Sequence, residues 1–306
     1  MPIYLPIAEL SGNVFLLIAL GGVTGLFAGM FGIGGGFLLT PMLLFMGIPS
    51  AVAVATSTNM MIASSFSGFL SHLKHKRVDL ALGVYLIIGG VIGVLLGILA
   101  FSGLQRAGQF DLIIKILYVS LLSTVGVLML RDFRRILAAR RSGNTSDAMT
   151  PMVLPGWVAR LPWQRDFARS AVRHSVLLPM TVGMVSGLIV GLLGIGGGFI
   201  AIPLMIYILR MPVSVTVGTS LFQIIFITAA ATLLHAITTQ AVDIVLAALL
   251  LIGSSIGAQY GVRLSHRVPT HLLRGMMAAL LLIVAACLAY GLFATPKDLF
   301  TLVVTP

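Results

Sequence analysis

The stretch FGIGGGFLLTPM at residues 31–42 returns almost unchanged as LGIGGGFIAIPL at residues 193–204. Each string holds three consecutive glycines, Gly34–Gly36 and Gly196–Gly198, within apolar sequence. Glycine disfavours a helix by about 1 kcal/mol per residue relative to alanine. We therefore expect a broken or re-entrant helix at each triplet, with a short helix beginning at about Phe37 and Phe199.

The composition indicates a membrane protein. Hydrophobic residues make up 58% of the 306-residue chain and charged residues only 9%, whereas about 25% of residues are charged in a soluble domain. Apolar runs long enough to span a bilayer recur along the whole length. Because these runs are continuous rather than alternating, they favour helices over a β-barrel. The sequence predicts an all-α polytopic membrane protein.

The glycine strings belong to an internal duplication that covers roughly 11–130 and 175–292, with about five apolar segments in each copy. Matching residues follow each string in the same order. They are Pro49, Thr56, Ser57, His72 and Asp79 in the first copy and Pro212, Thr219, Ser220, His235 and Asp243 in the second. We expect an N-terminal membrane repeat at 1–130, a basic cytoplasmic linker at 131–174 and a C-terminal membrane repeat at 175–306.

The positive charge predicts the orientation of the two copies. Lysine and arginine concentrate in residues 72–79, 131–174 and 262–270, whereas residues 235–243 contain neither. Because positive loops stay on the cytoplasmic side, both termini are expected outside, and the two copies become inverted-topology repeats, as in many secondary transporters. The net charge of +11 therefore reports topology rather than nucleic-acid binding. Trp157 and Trp163 suit a linker that lies on the inner membrane surface, although a solvated linker also fits.

A helix that begins after a glycine break presents unpaired amides and the positive end of its dipole, which together form an anion site. Hydroxyl and amide side chains lie about 10–16 Å along the next helix, close to the expected midplane. They could bind the anion, or they could bond to their own backbone and to neighbouring helices. The predicted substrate-binding residues are Gly34, Gly35, Gly36, Phe37, Thr56, Ser57, Asn59, Gly196, Gly197, Gly198, Phe199, Thr219, Ser220 and Gln223.

The remaining polar candidates have simpler interpretations. His72 and His235 lie near helix ends, where they either pack or cap, or else relay protons. Asp79 and Asp243 precede apolar runs and are expected to be helix N-caps. No pattern predicts a metal site or a cofactor, and HExxH and GxSxG motifs are absent from the sequence, which argues against an enzyme.

The pattern GxGGGF, a proline, Thr–Ser and then His…Val–Asp, present in both halves, resembles the sulfite exporter TauE/SafE family. The resemblance covers nearly the whole chain except residues 131–174. It implies an inner-membrane transporter of small anions such as sulfite, sulfonates or related organic acids. It does not name the substrate of this chain.

The expected function is a secondary transporter, acting as an exporter, with a midplane anion site between inverted halves. An anion channel and an uptake permease remain alternatives. The expected partners are the lipid bilayer and a small anionic substrate, without nucleic acid, and a homodimer stays open.

The charge pattern makes a testable prediction about topology. Single cysteines replacing His75 and Thr150 should react with an impermeant reagent only from the cytoplasm, and one replacing Thr239 only from outside, in a background where Cys287 is serine. Labelling of positions 75 and 239 from the same side would show that the repeats are not inverted.

Overall fold

The computed structural model describes residues 2–7, 10–106, 110–141, 163–167, 169–170, 172–265 and 267–293. The first copy contains β1 (Pro2–Leu5), β2 (Leu10–Asn13), α1 (Val14–Phe31), α2 (Gly36–Phe45), α3 (Ser50–Lys74), α4 (Leu80–Arg106) and α5 (Phe110–Arg141). The second contains β3 (Gln164–Phe167), β4 (Val172–Ser175), α6 (Leu177–Leu193), α7 (Gly198–Tyr207), α8 (Val213–Thr238), α9 (Ile244–Ser265) and α10 (Thr270–Phe293).

The predicted all-α polytopic class is confirmed. Six of the described helices, α1, α4, α5, α8, α9 and α10, are long and apolar enough to cross a membrane. Many of their large apolar side chains are exposed on the outside of the bundle, as with Leu99, Ile244 and Tyr290. A lipid environment accounts for such a surface, because hydrocarbon imposes no cost on exposed apolar groups.

Both glycine triplets break the helix, as the sequence predicts. Helix α1 ends at Gly32, which adopts φ 71° and donates its amide to the Ala28 carbonyl. Helix α6 ends in the same way at Gly194, with φ 63° and a bond to Val190. A left-handed glycine is a common helix terminator, because it lacks the Cβ that opposes this conformation. The short helices begin four residues later, at Gly36 and Gly198, one residue before the predicted starts at Phe37 and Phe199.

Helix packing between the copies is reciprocal. By sequence, α1 to α5 correspond to α6 to α10 in order. Helix α1 packs on α9, and its counterpart α6 packs on α4, which is the counterpart of α9. Helix α3 packs on its own counterpart α8, and α5 packs on α10. An approximate two-fold axis therefore relates the copies.

Equivalent helices at the centre of the bundle run antiparallel. The hydroxyls of Thr58 and Thr232 lie 3.0 Å apart, and a Cβ built on Gly68 would lie 3.0 Å from the side chain of Leu221. A higher number on α3 thus pairs with a lower number on α8. The same reversal holds for α5 and α10, where Gly126 faces Leu282 and Gly275 faces Phe133. The two-fold axis consequently runs across the helices rather than along them.

Two β-hairpins extend the duplication beyond the range that the sequence indicates. Strands β1 and β2 pair antiparallel from Pro2↔Asn13, and β3 and β4 pair from Gln164↔Ser175, so the hairpins repeat at the 162-residue spacing of the glycine strings. Side-chain caps repeat as well, since Asn13 accepts from the Phe15 amide and Ser175 from the Leu177 amide.

The structure contains described elements at both ends of the expected linker at 131–174. Helix α5 continues to Arg141, and the hairpin at 164–175 belongs to the second copy. Only four residues form each strand, too few for a period-2 pattern to be read in an arginine-rich segment. Trp163 is exposed and immediately precedes β3, whereas Trp157 lies outside the described residues.

Two adjacent glycines on α1 test the close packing of this helix on α9. A Cβ on Gly21 would lie 2.5 Å from the Leu250 carbonyl oxygen, whereas one on Gly22 would lie 3.8 Å from the nearest atom, the Gly253 carbonyl oxygen. We expect Gly21→Ala to lower the free energy of unfolding by about 1–3 kcal/mol through overpacking. Thermal unfolding in detergent measures the effect. Gly22→Ala is the matched control and should be neutral or slightly stabilising, so an equal loss in both variants would contradict this packing.

Candidate functional site

The two glycine breaks lie in direct contact. A Cβ added to Gly36 would lie 2.6 Å from the Gly194 carbonyl oxygen, and one added to Gly196 would lie 2.5 Å from the Ile33 carbonyl oxygen. Residues 32–37 and 194–199 are all buried. The structure thus brings together the predicted glycines and the two phenylalanines that follow them, at positions where only glycine allows this approach.

This contact lies halfway along the two central helices. The sulfur of Met61, midway along α3, would meet a Cβ placed on Gly36 or on Gly196. The side chain of Ile224, midway along α8, lies against Gly34 and Gly198 in the same way. The breaks are therefore at the centre of the bundle.

Each short helix begins at this contact with unpaired amides. The first hydrogen bonds of α2 run from the Leu38 and Leu39 amides to the Gly35 carbonyl, at 3.1 and 3.2 Å. Among the described residues, the amides of Gly35, Gly36 and Phe37 donate to no acceptor. In α7 the amides of Gly197 and Gly198 are unpaired in the same sense. Unpaired amides at a helix N-terminus can bind an anion.

Ser57 and Ser220 connect each copy to the break of the other. The Ser57 hydroxyl lies 3.1 Å from the Gly194 carbonyl oxygen, and the Ser220 hydroxyl lies 3.2 Å from that of Gly32. Each also bonds to a carbonyl one turn earlier in its own helix. Thr40 donates to Ser57 at 2.8 Å, a bond that the second copy cannot form because Ile202 occupies the equivalent position. These serines satisfy the carbonyls that end α1 and α6.

Thr56 and Thr219 bond to the capping aspartates of the opposite copy. The Thr56 hydroxyl accepts the Asp243 amide at 3.2 Å, and the Thr219 hydroxyl accepts the Asp79 amide at 3.0 Å. Both threonines are fully buried. Both hydroxyls thus bond to the turns that begin α9 and α4.

The two aspartates cap helices, as predicted, and also hold the hairpins. Asp79 accepts the Leu82 amide at 3.1 Å, and its other oxygen accepts the Ser170 hydroxyl at 2.6 Å. Asp243 accepts the Leu246 amide and, through its second oxygen, the Ile7 amide at 3.0 Å. Each carboxylate therefore ties a hairpin of one copy to a helix start of the other.

The amide side chains on α3 and α8 differ in burial. Asn59 is half-buried. Gln223 is fully buried and donates its Nε2 to the Ser186 hydroxyl at 2.6 Å. Ser186 was not a predicted site residue, because a lone serine in the apolar run of α6 gave no signal. Only the packing of α6 on α8 places it beside Gln223.

The matched histidines are not brought together. His72 and His235 lie in the last turns of antiparallel helices, at opposite ends of the bundle. His235 is fully buried, with Nε2 3.0 Å from the Gly191 carbonyl oxygen and its ring edge-on to Phe101 at 4.8 Å. His72 is half-buried. A proton relay through both would need a path along the length of the bundle.

Other features lie away from the breaks. A cavity of about 100 Å³ is lined mainly by apolar residues of α1, α5, α7, α8 and α10, with Asp132 at its wall and none of the predicted site residues. Within the described ranges, no three histidine, cysteine or acidic residues come together as a metal site.

A bundle of membrane-spanning helices in which two broken helices meet at the centre is the architecture of a membrane transporter. Residues 17–288 match the family described as sulfite exporter TauE/SafE. The chain belongs to this family, and it is a multi-pass membrane protein of a transporter class rather than an enzyme class. The sequence resemblance is thereby confirmed.

Relatives are described in the same terms. Probable membrane transporter protein YjnA of Bacillus subtilis is 30% identical over 270 residues, which cover 87% of this chain and 96% of that protein. Probable membrane transporter protein MJ0441 of Methanocaldococcus jannaschii is 25% identical over 280 residues, covering 87% and 91%. The sulfite exporter TauE/SafE family protein 3 of Arabidopsis thaliana is 31% identical over 121 residues, covering 38% and 25%. No solved structure matches the chain.

The threonine geometry gives a second prediction. Thr219→Val keeps the shape of the side chain but leaves the buried Asp79 amide without an acceptor, so it should cost about 1–3 kcal/mol of stability. Thermal unfolding in detergent measures this loss. Thr124→Val, at an exposed position on α5, should have little effect. If Thr219→Val unfolds like wild type but loses anion binding, the threonine binds substrate instead.

Proposed function

We propose that this protein is a secondary transporter that exports a small anion such as sulfite, an organosulfonate or a related organic acid. The observation that carries the proposal is the meeting of two helix N-termini at the centre of the bundle, where α2 and α7 begin with unpaired amides. Because the dipoles of both helices are positive at this end, the arrangement favours a negative ligand.

The symmetry supports a carrier over an open channel. Equivalent helices run antiparallel across a two-fold axis, so the two copies would be inverted repeats if the axis lies in the membrane plane. Small shifts of one copy against the other would then open the central site to alternate sides. The residues around the breaks are fully packed, as a carrier requires in a closed state.

The membrane potential supplies a driving force for export. An anion that leaves a negative-inside cell gains about 2.3 kcal/mol per charge per 100 mV. Asp79 and Asp243 cap the starts of helices. In this role they are not placed to couple transport to a proton or sodium gradient at the centre of the bundle. We place the protein in the inner membrane with both termini outside, following the charge distribution.

Gly197 offers the cleanest test of the anion site. It has an ordinary helical φ of −52°, and an added Cβ would lie 3.1–3.2 Å from the side chains of Ile227, Val190 and Ser186. A methyl group there crowds the N-terminus of α7 without backbone strain. We expect Gly197→Ala to reduce transport of sulfite into proteoliposomes by about tenfold or more, and Gly197→Leu to abolish it, with folded protein still in the membrane.

The control is Gly103→Ala, because a Cβ at Gly103 meets no atom within 4 Å. This variant should transport like wild type. Gly35 is a poorer probe, since its φ of 77° and the Thr24 carbonyl oxygen 2.9 Å from an added Cβ would strain any side chain. Near-normal transport by the folded Gly197→Leu variant would overturn the backbone site.

A further inference from the structure

Two buried polar side-chain atoms in the described part of the chain have no hydrogen-bond partner, Ser65 Oγ and Gln223 Oε1. Both lie on the central helices at the level of the glycine breaks. Ser65 follows Ser64, which donates to the Gly34 carbonyl at 3.3 Å, and Gln223 precedes Ile224, which contacts Gly34 and Gly198. Unpaired polar atoms are costly in a membrane interior, so their location at the level of the glycine breaks calls for an explanation.

The hydrogen bonds around Gln223 fix which end of its amide is unpaired. The Ser186 hydroxyl has one proton, which it donates to the Gly183 carbonyl at 2.8 Å. Gln223 Nε2 lies 2.6 Å from this hydroxyl and donates to it. The free end of the side chain is consequently the oxygen, which is an acceptor.

Ser186 also connects Gln223 to the start of α7. Its Cβ lies 3.2 Å from the position of a Cβ on Gly197, the residue that caps the N-terminus of this helix. The second copy thus combines two complementary groups, the donor amides of Gly197 and Gly198 and the acceptor oxygen of Gln223.

The first copy lacks this combination. Thr24 occupies the position of Ser186, and Met60 occupies the position of Gln223. The Met60 sulfur lies 3.6 Å from the Thr24 hydroxyl, and its methyl group would lie 3.3 Å from a Cβ on Gly35. A thioether beside the N-terminus of α2 offers no strong acceptor. The two breaks are related by symmetry but are not chemically equal.

From this asymmetry we infer that the anion binds at the second break, and that Gln223 Oε1 accepts a hydrogen bond from the substrate itself. The selected ligands are small anions that carry a hydroxyl or acid proton beside the anionic group. This inference rests on the proposed function, and it adds the class of substrate that the site prefers.

The physical basis of the selection is the unpaired acceptor. An anion with only acceptor oxygens satisfies the amides of α7 but leaves Gln223 Oε1 unpaired. A hydroxylated anion satisfies both. A site built to bond a hydroxyl discriminates well against the analogue without it, because a buried polar group would then stay unpaired.

A matched pair of ligands tests the inference. 2-Hydroxyethanesulfonate and ethanesulfonate carry the same charge and differ by one hydroxyl group. We expect the purified full-length protein to bind 2-hydroxyethanesulfonate about tenfold more tightly by isothermal titration calorimetry, a factor of the size expected for one buried hydrogen bond. The same preference should appear in competition against sulfite uptake into proteoliposomes.

Variants assign the preference to Gln223. Gln223→Met copies the first repeat and should bring the affinity ratio of the two sulfonates to about one, chiefly by weakening 2-hydroxyethanesulfonate binding. Met60→Leu is the control in the first copy and should keep the wild-type ratio. Thermal unfolding of each variant confirms that it is folded, and the wild-type comparison stands even if Gln223→Met is unstable.

The outcomes separate this inference from the proposed function. Equal binding of both sulfonates by wild type, or an unchanged ratio in folded Gln223→Met, overturns the role of Gln223 while leaving an anion transporter. Loss of the preference in Met60→Leu instead would place the site at the first break and also overturn it. If no small anion, sulfite included, binds or is transported, the proposed function itself fails.

Discussion

At the centre of the bundle, the backbone of residues 33–36 lies against that of residues 194–198, with no room for a side chain on Gly36 or Gly196. This contact ends α1 and α6 inside the protein and starts α2 and α7 beside them. Non-helical backbone at membrane depth is tolerated only when protein or a cavity surrounds it. Here the non-helical backbone of each copy packs against that of the other, which explains why the motif is needed twice.

The copies also satisfy polar groups that neither could satisfy alone. Ser57 and Ser220 each bond to the helix end of the opposite copy, and Asp79 and Asp243 hold the hairpins of the opposite copy. Neither half can therefore fold as an independent bundle without leaving buried groups unpaired. Any movement that opens the centre of the bundle must change these contacts between the two copies.

Symmetry of the backbone does not make the site symmetric. The duplication preserved the glycines, which the close contact requires, but it let the side chains beside them diverge to Met60 and Gln223. In the proposed anion site, backbone amides alone would not distinguish among anions. Selectivity would then depend on the few side chains that differ between the copies.

The sequence by itself determined the membrane class, the duplication, the helix breaks and the caps at Asp79 and Asp243, because hydropathy, glycine and capping act locally. It could not predict the hydrogen-bond partners of Thr56 and Thr219, because these partners lie 187 and 140 positions away in the chain. It missed the hairpins, since strands of four residues give too little pattern. Only the tertiary structure placed Ser186 beside Gln223, because that contact exists through packing of helices that are distant in the chain.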